Sequence, residues 1–154
     1  LAQTALMAPG PEVTQLRALL GELFAIPDAQ KHMAELLAGS DVRYDVGDDH
    51  PLSGRLVPDL TFDDGRRVSE LLHDARPILL DLDGSVAPAV RGWADRVDVV
   101  VAGMADRPAE PSPKAMLIRP DGYVAWATDT FGPAAETSLH QALKRWFGPA
   151  PRGK

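Results

Sequence analysis

Pro77-Ile78-Leu79-Leu80-Asp81-Leu82-Asp83-Gly84-Ser85 is the stretch that decides the fold. Ile78 to Leu82 is apolar apart from Asp81, as expected of a strand buried on both faces at the centre of a sheet. Asp83-Gly84-Ser85 ends it with turn residues. Downstream, residues 86–95 read as a helix carrying Val86, Val90 and Trp93, and Val97-Asp98-Val99-Val100-Val101-Ala102 reads as a second, β-branched strand. Residues 103–113 hold three prolines and read as loop. Ala115-Met116-Leu117-Ile118-Arg119 and Tyr123-Val124-Ala125-Trp126 flank Pro120-Asp121-Gly122. This is the clearest hairpin in the chain, because Asp-Gly supplies the positive φ of a tight turn. A last helix starts near Pro133, with Ala135, Leu139, Ala142, Leu143, Trp146 and Phe147 on one face. Lys144 and Arg145 suit its dipole end, and Gly148-Pro149 stops it.

Upstream of the central run, Leu60-Thr61-Phe62 is a short strand candidate turned by Asp63-Asp64-Gly65, and Val68 to Leu72 starts a short helix. From residue 60 the order is β-α-β-α-β-β-β-α. Strands separated by helices need parallel crossovers, whereas the final hairpin is antiparallel. The fold class that follows is α/β: a thioredoxin-like mixed sheet flanked by helices, spanning residues 58–150. In that arrangement a cis proline precedes the antiparallel strand, and Pro113 stands at its expected place.

Residues 1–44 read as helical. Residues 1–8 look like the tail of a helix. Pro11 opens another with Val13, Leu16, Leu19, Leu20, Leu23 and Phe24 at helical spacing. A further helix starts near Pro27-Asp28, carries Ala29, Met33, Leu36 and Leu37, and stops at Gly39. Leu16, Leu20 and Leu23 give this hairpin more apolar area than two helices can hide, so a partly bare stripe is expected. Residues 45–57, crowded with Asp45, Asp48, Asp49, Gly47, Pro51 and Gly54, read as a linker.

The 154 residues are 45% hydrophobic and 25% charged, an ordinary globular composition for about one domain. A net charge of −6 without a basic patch argues against nucleic-acid binding. The chain has no cysteine, which excludes disulfides, a dithiol redox centre and thiolate metal sites. No apolar run is long enough to span a membrane, and the N-terminal residues lack the features of a signal peptide, so a cytoplasmic location is expected. The first residue is Leu1, and the expectation is a piece of a longer chain.

Asp81-Leu82-Asp83-Gly84-Ser85 resembles the first motif of the haloacid dehalogenase superfamily of phosphatases, in which Asp81 would be the phosphoryl nucleophile and Asp83 the general acid beside Mg²⁺. The later parts of that machinery have too little chain to follow in, and the competing reading is a strand-to-helix turn capped by an aspartate. Asp45, Asp48, Asp49 and His50 match no calcium-loop spacing and read as a solvated acidic loop. His32, His50, His73 and His140 are scattered, and Trp93, Trp126 and Trp146 sit at core-facing spacing. No glycine-rich nucleotide loop occurs. No catalytic, cofactor-binding or metal residue is therefore assigned.

Two segments together resemble a family. One is Gly54-Arg55-Leu56-Val57-Pro58-Asp59-Leu60, followed by Asp64-Gly65-Arg66 and Val68-Ser69-Glu70-Leu71-Leu72. The other is Met116-Leu117-Ile118-Arg119-Pro120-Asp121-Gly122-Tyr123-Val124-Ala125-Trp126. They are similar to the C-terminal region of FAD-dependent aromatic hydroxylases, single-component flavoprotein monooxygenases, and most of all to the polyketide hydroxylases. Ala127 departs from the pattern, in which Arg follows the Trp. The resemblance implies a thioredoxin-like domain lacking redox cysteines, preceded by a helical segment, residues 1–44, that resembles the end of a flavin domain. It implies FAD and NAD(P)H in the parent enzyme, none in this chain, and as partner the flavin/substrate domain or a second copy in a homodimer. The family's flavin motifs are absent, so the role implied is structural. A stand-alone thioredoxin-like interaction domain and the phosphatase are the two other readings.

Overall fold

Strand β1, Ile78–Asp81, lies at the heart of a four-stranded mixed sheet. The computed structural model describes residues 10–38, 42–105 and 113–150. The chain divides into two compact units, meeting at Asp41–Val42.

In the second unit, β2 (Asp98–Val101), β3 (Ala115–Ile118) and β4 (Val124–Thr128) join β1 in the order β2-β1-β3-β4. β1 runs parallel to β2 and antiparallel to β3, and β3 pairs antiparallel with β4. This is the thioredoxin-like arrangement expected from the sequence. The strands alternate between two packed faces. Leu79, Ala115 and Leu117 point to one, under α4 (Pro133–Phe147) and its Leu139 and Leu143. Ile78, Leu80, Met116 and Ile118 point to the other, under Phe62 and Val68. Val68 opens the one-turn helix α3 (Val68–Leu71).

Three elements differ from expectation. The segment after β1 is a 3₁₀ helix over Ala87–Trp93. Its three-residue turn stacks Val90 on Trp93, both buried. Residues 60–62 do not join the sheet. The Asp63-Asp64-Gly65 turn folds Phe62 straight back, its N–H donating to Arg66 O at 2.8 Å, and only isolated bridges remain, Thr61 to Arg67 and Phe62 to Met104. The third is a register shift between β3 and β4: Leu117 faces Trp126 while Ile118 faces Val124. Ala125 is the extra residue of a bulge, so it and Trp126 both reach the face under α4. The Ser112–Pro113 bond lies outside the described residues.

Residues 45–57 are irregular and packed. Val46, Ser53 and Gly54 are buried. Tyr44 N–H donates to Gly54 O at 2.8 Å, and Gly54 N–H donates to Val124 O at 2.8 Å.

The first unit is a helical hairpin of α1 (Pro11–Phe24) and α2 (Pro27–Ala38). Among its described side chains none is buried. Leu16 and Leu23 are each 44% exposed, as the stripe reading expects, and Leu20 is half-buried.

Gly54 holds φ +79°, and a Cβ there would lie 1.9 Å from Tyr44 O, a backbone atom that cannot swing aside. Gly65 holds φ +85° with open space around it. Gly54→Ala is expected to cost ~3 kcal/mol in urea denaturation, against ~1 kcal/mol for Gly65→Ala. Equal costs would mean that the 42–57 segment is not anchored through Gly54.

Candidate functional site

Asp81 is fully buried at the end of β1. Its Oδ1 accepts the Gly84 N–H at 2.9 Å, and its Oδ2 accepts those of Val86 at 2.9 Å and Ala87 at 2.7 Å. Both oxygens thus satisfy the unpaired N–H groups where the 3₁₀ helix begins, as a capping carboxylate does. A nucleophile must reach its electrophile, and this one is enclosed by backbone. Asp83 turns outward. The Ser85 hydroxyl and N–H donate to its Oδ1, and Lys114 Nζ lies 3.0 Å from its Oδ2. The Ser85 hydroxyl bond chiefly, with help from Lys114, holds the Asp83 carboxyl at about 2. Both of its oxygens are thus engaged within the turn and by Lys114. Of the two readings of the motif, the geometry favours the strand-to-helix turn capped by an aspartate over the phosphatase with Asp81 as nucleophile and Asp83 as general acid.

The acidic loop is also structural. Asp45 Oδ1 accepts the Gly47 N–H at 2.9 Å, and Asp48 Oδ2 accepts the Ser53 hydroxyl and, at 3.3 Å, the Ala127 N–H. His50 Nδ1 accepts the Leu52 N–H, leaving Nε2 to donate to Asp129 at 3.1 Å. His140 lies 2.8 Å from Ala89 O, and its ring lies against Trp93 at 5.3 Å. His32 and His73 are exposed. Among the described residues no group of three His, Asp or Glu could hold a metal ion. Trp93 and Trp126 are buried, their Nε1 groups donating to Gly148 O at 2.9 Å and Ser138 Oγ at 2.8 Å.

The two segments that carry the family resemblance meet in space. Leu56 bridges Tyr123, Val124 N–H donates to Arg55 O at 2.9 Å, and Val57 N–H donates to Gly122 O at 2.9 Å. Residues 54–57 thereby cover the start of β4, whose outer edge would otherwise be bare. Arg119 stacks 4.3 Å above the Trp146 ring, and its Nη2 meets Asp121 at 2.5 Å. Tyr44 packs edge-on against Tyr123 at 5.0 Å. Beside this junction Leu56, Val57, Pro58, Val68, Leu72 and Pro120 line an open, mainly apolar groove of about 400 Å³. The sequence did not announce the groove, because its walls come from segments far apart in the chain. The only signal was that both segments belong to the same resemblance.

Asp81→Asn would turn an amide NH₂ toward backbone N–H groups, and is expected to cost on the order of 2–4 kcal/mol by urea denaturation. Asp83→Asn should cost under ~1 kcal/mol, as exposed pairs do. Because the folded Asp83 carboxyl ionises below the ordinary 3.8, its contribution is full above that pH and is lost as pH falls toward about 2. Wild type and Asp83→Asn should therefore converge in stability over that window; an undiminished gap would disprove the pairing of Asp83 with Ser85 and Lys114.

The family described as "Aromatic-ring hydroxylase, C-terminal" matches residues 50–150. The 12-dehydrotetracycline 5-monooxygenase/anhydrotetracycline 6-monooxygenase of Streptomyces rimosus is 43% identical over 96% of this chain and 30% of its own length. The rifampicin monooxygenase of Streptomyces venezuelae is 37% identical over 99% of this chain and 29% of its own. Among solved structures, the OxyS anhydrotetracycline hydroxylase from Streptomyces rimosus superposes with a TM-score of 0.75 at 41% identity, covering 97% of this chain and 32% of that one. The chain thus spans about 30% of the length of the relatives it matches. With a family match over most of its length and the thioredoxin-like sheet in place, the chain belongs to the aromatic-ring hydroxylases and corresponds to their C-terminal region.

Proposed function

We propose that the chain is the non-catalytic C-terminal part of an FAD-dependent aromatic hydroxylase of polyketide type, using NAD(P)H and oxygen, and that its role is structural. The observation that carries this is the extent of the match: nearly all of this chain, but under a third of each relative. The helical hairpin supports it. It lies outside residues 50–150, it is shared with the relatives, and it hides none of its described side chains. A two-helix segment in that state draws its stability from packing on something else. The partner is the flavin- and substrate-binding part of the same enzyme, and residues 1–44 are the end of that part. A homodimer is the second role, favoured by β2, which has no strand beyond it among the described residues and whose Val99 and Val101 are exposed.

The residues present do not suit FAD. A dinucleotide needs a cradle of backbone N–H groups at a glycine-rich helix start. Here α1, α2 and α4 each begin with a proline, which lacks that N–H. When bound elsewhere in the enzyme, the flavin supplies the redox chemistry. What this chain supplies is a rigid sheet and surfaces for contact.

In a flavin fluorescence titration the 154-residue chain should show affinity no better than ~1 mM, and no NADPH-dependent oxygen uptake with a phenolic acceptor. Micromolar binding or measurable turnover would place the chemistry in this piece and overturn the proposal.

A further inference from the structure

We infer that the groove beside the 54–57 strip is the seat of an apolar segment from the flavin- and substrate-binding part of the same polypeptide. This rests on the proposed function and deepens it by naming the contact surface. Three observations converge on the groove.

Its chemistry selects an apolar occupant. The lining is mainly carbon, and Leu56, in its wall, is 44% exposed. The carboxylates beside it are already committed: Asp59 pairs with Arg67, and Asp121 with Arg119. Ser69 Oγ lies within 3.4 Å of Asp59. No unpaired charge is left to call for a cation, so burial of apolar area is what the site offers.

Its construction is specific. Residues 54–57, which lead into the wall, are held by backbone bonds to Gly122 and Val124, and a side chain at the buried Gly54 would collide with the Tyr44 backbone. Its two walls are the segments in which the chain resembles the hydroxylases, brought side by side on an open face. A preformed groove needs little ordering when a partner arrives.

The occupant is also at hand. The relatives extend well beyond the matched region, so a large tethered partner shares the polypeptide, at high effective concentration.

The chain has no cysteine, which makes single thiols clean probes. Ser69→Cys and Leu56→Cys report on the groove from two positions. Lys144→Cys, exposed on α4 across the sheet, is the control. Each is placed in the 154-residue chain and in the full-length polypeptide, treated with a thiol reagent, and read position by position by mass spectrometry, after the full-length protein is confirmed to hold flavin. Expected is labelling at 56 and 69 slowed at least ~10-fold in the full-length protein, with 144 labelled equally in both. Equal rates at 56 and 69 in a flavin-loaded protein would overturn the inference while leaving the proposed function standing. Slowing in the 154-residue chain alone that deepens with its concentration would overturn it in favour of a second copy. A full-length protein without flavin would overturn the proposed function and this inference together.

Discussion

A buried carboxylate holds this architecture in register. Asp81 ends the central strand and, without leaving the core, collects the N–H groups of Gly84, Val86 and Ala87. An unpaired charge at that depth would be very costly, so the loop must close around it in one way. That closure sets the start of the 3₁₀ helix, and with it the placement of Val90 and Trp93 under the sheet. β1 is then flanked by β2 on one side and β3 on the other, and both faces of β1 and β3 are buried. The chemistry suggested by a D-x-D-G-S motif and the architecture built by it compete for the same lone pairs, and the architecture has them.

What was legible in the sequence was what depends on neighbours along the chain. The apolar run of β1, the Asp-Gly turn of the β3–β4 hairpin and the amphipathic α4 each declare themselves within a short window. What was hidden depends on distant partners or on backbone detail. The helix after β1 is 3₁₀, with Val90 and Trp93 three residues apart on its buried side, yet its pattern over so few residues passes for α. The Ala125 bulge hides because one extra residue leaves the hydrophobic pattern of a short strand ambiguous. Residues 45–57 read as linker from their aspartates and glycines, but those aspartates are spent on Gly47, Ser53 and Ala127, which pin the loop in place. The groove arises only when residues 54–57 pair beside 122–124, and no local periodicity records such a meeting.

The two units are unequal in self-sufficiency, and the functional reading turns on that. The second has a sheet whose central strands are buried on both faces, a covered edge at the start of β4 and a buried cap at Asp81. The first has helices well started by prolines but leaves Leu16, Leu19, Leu23, Phe24 and Ile26 exposed. Apolar area of that extent on so short a segment marks a surface made to be covered. A hydroxylase whose flavin part ends in those helices, and whose last unit is a ready-folded brace, would divide its stability in this manner.

Native-state hydrogen exchange on the 154-residue chain tests that division most directly. The account predicts that amides of β1 and β3 exchange only through global unfolding, while those of α1 and α2 exchange within about tenfold of unprotected rates. Matching, strong protection in the hairpin and the sheet would show that the helices need no partner, and would contradict the account.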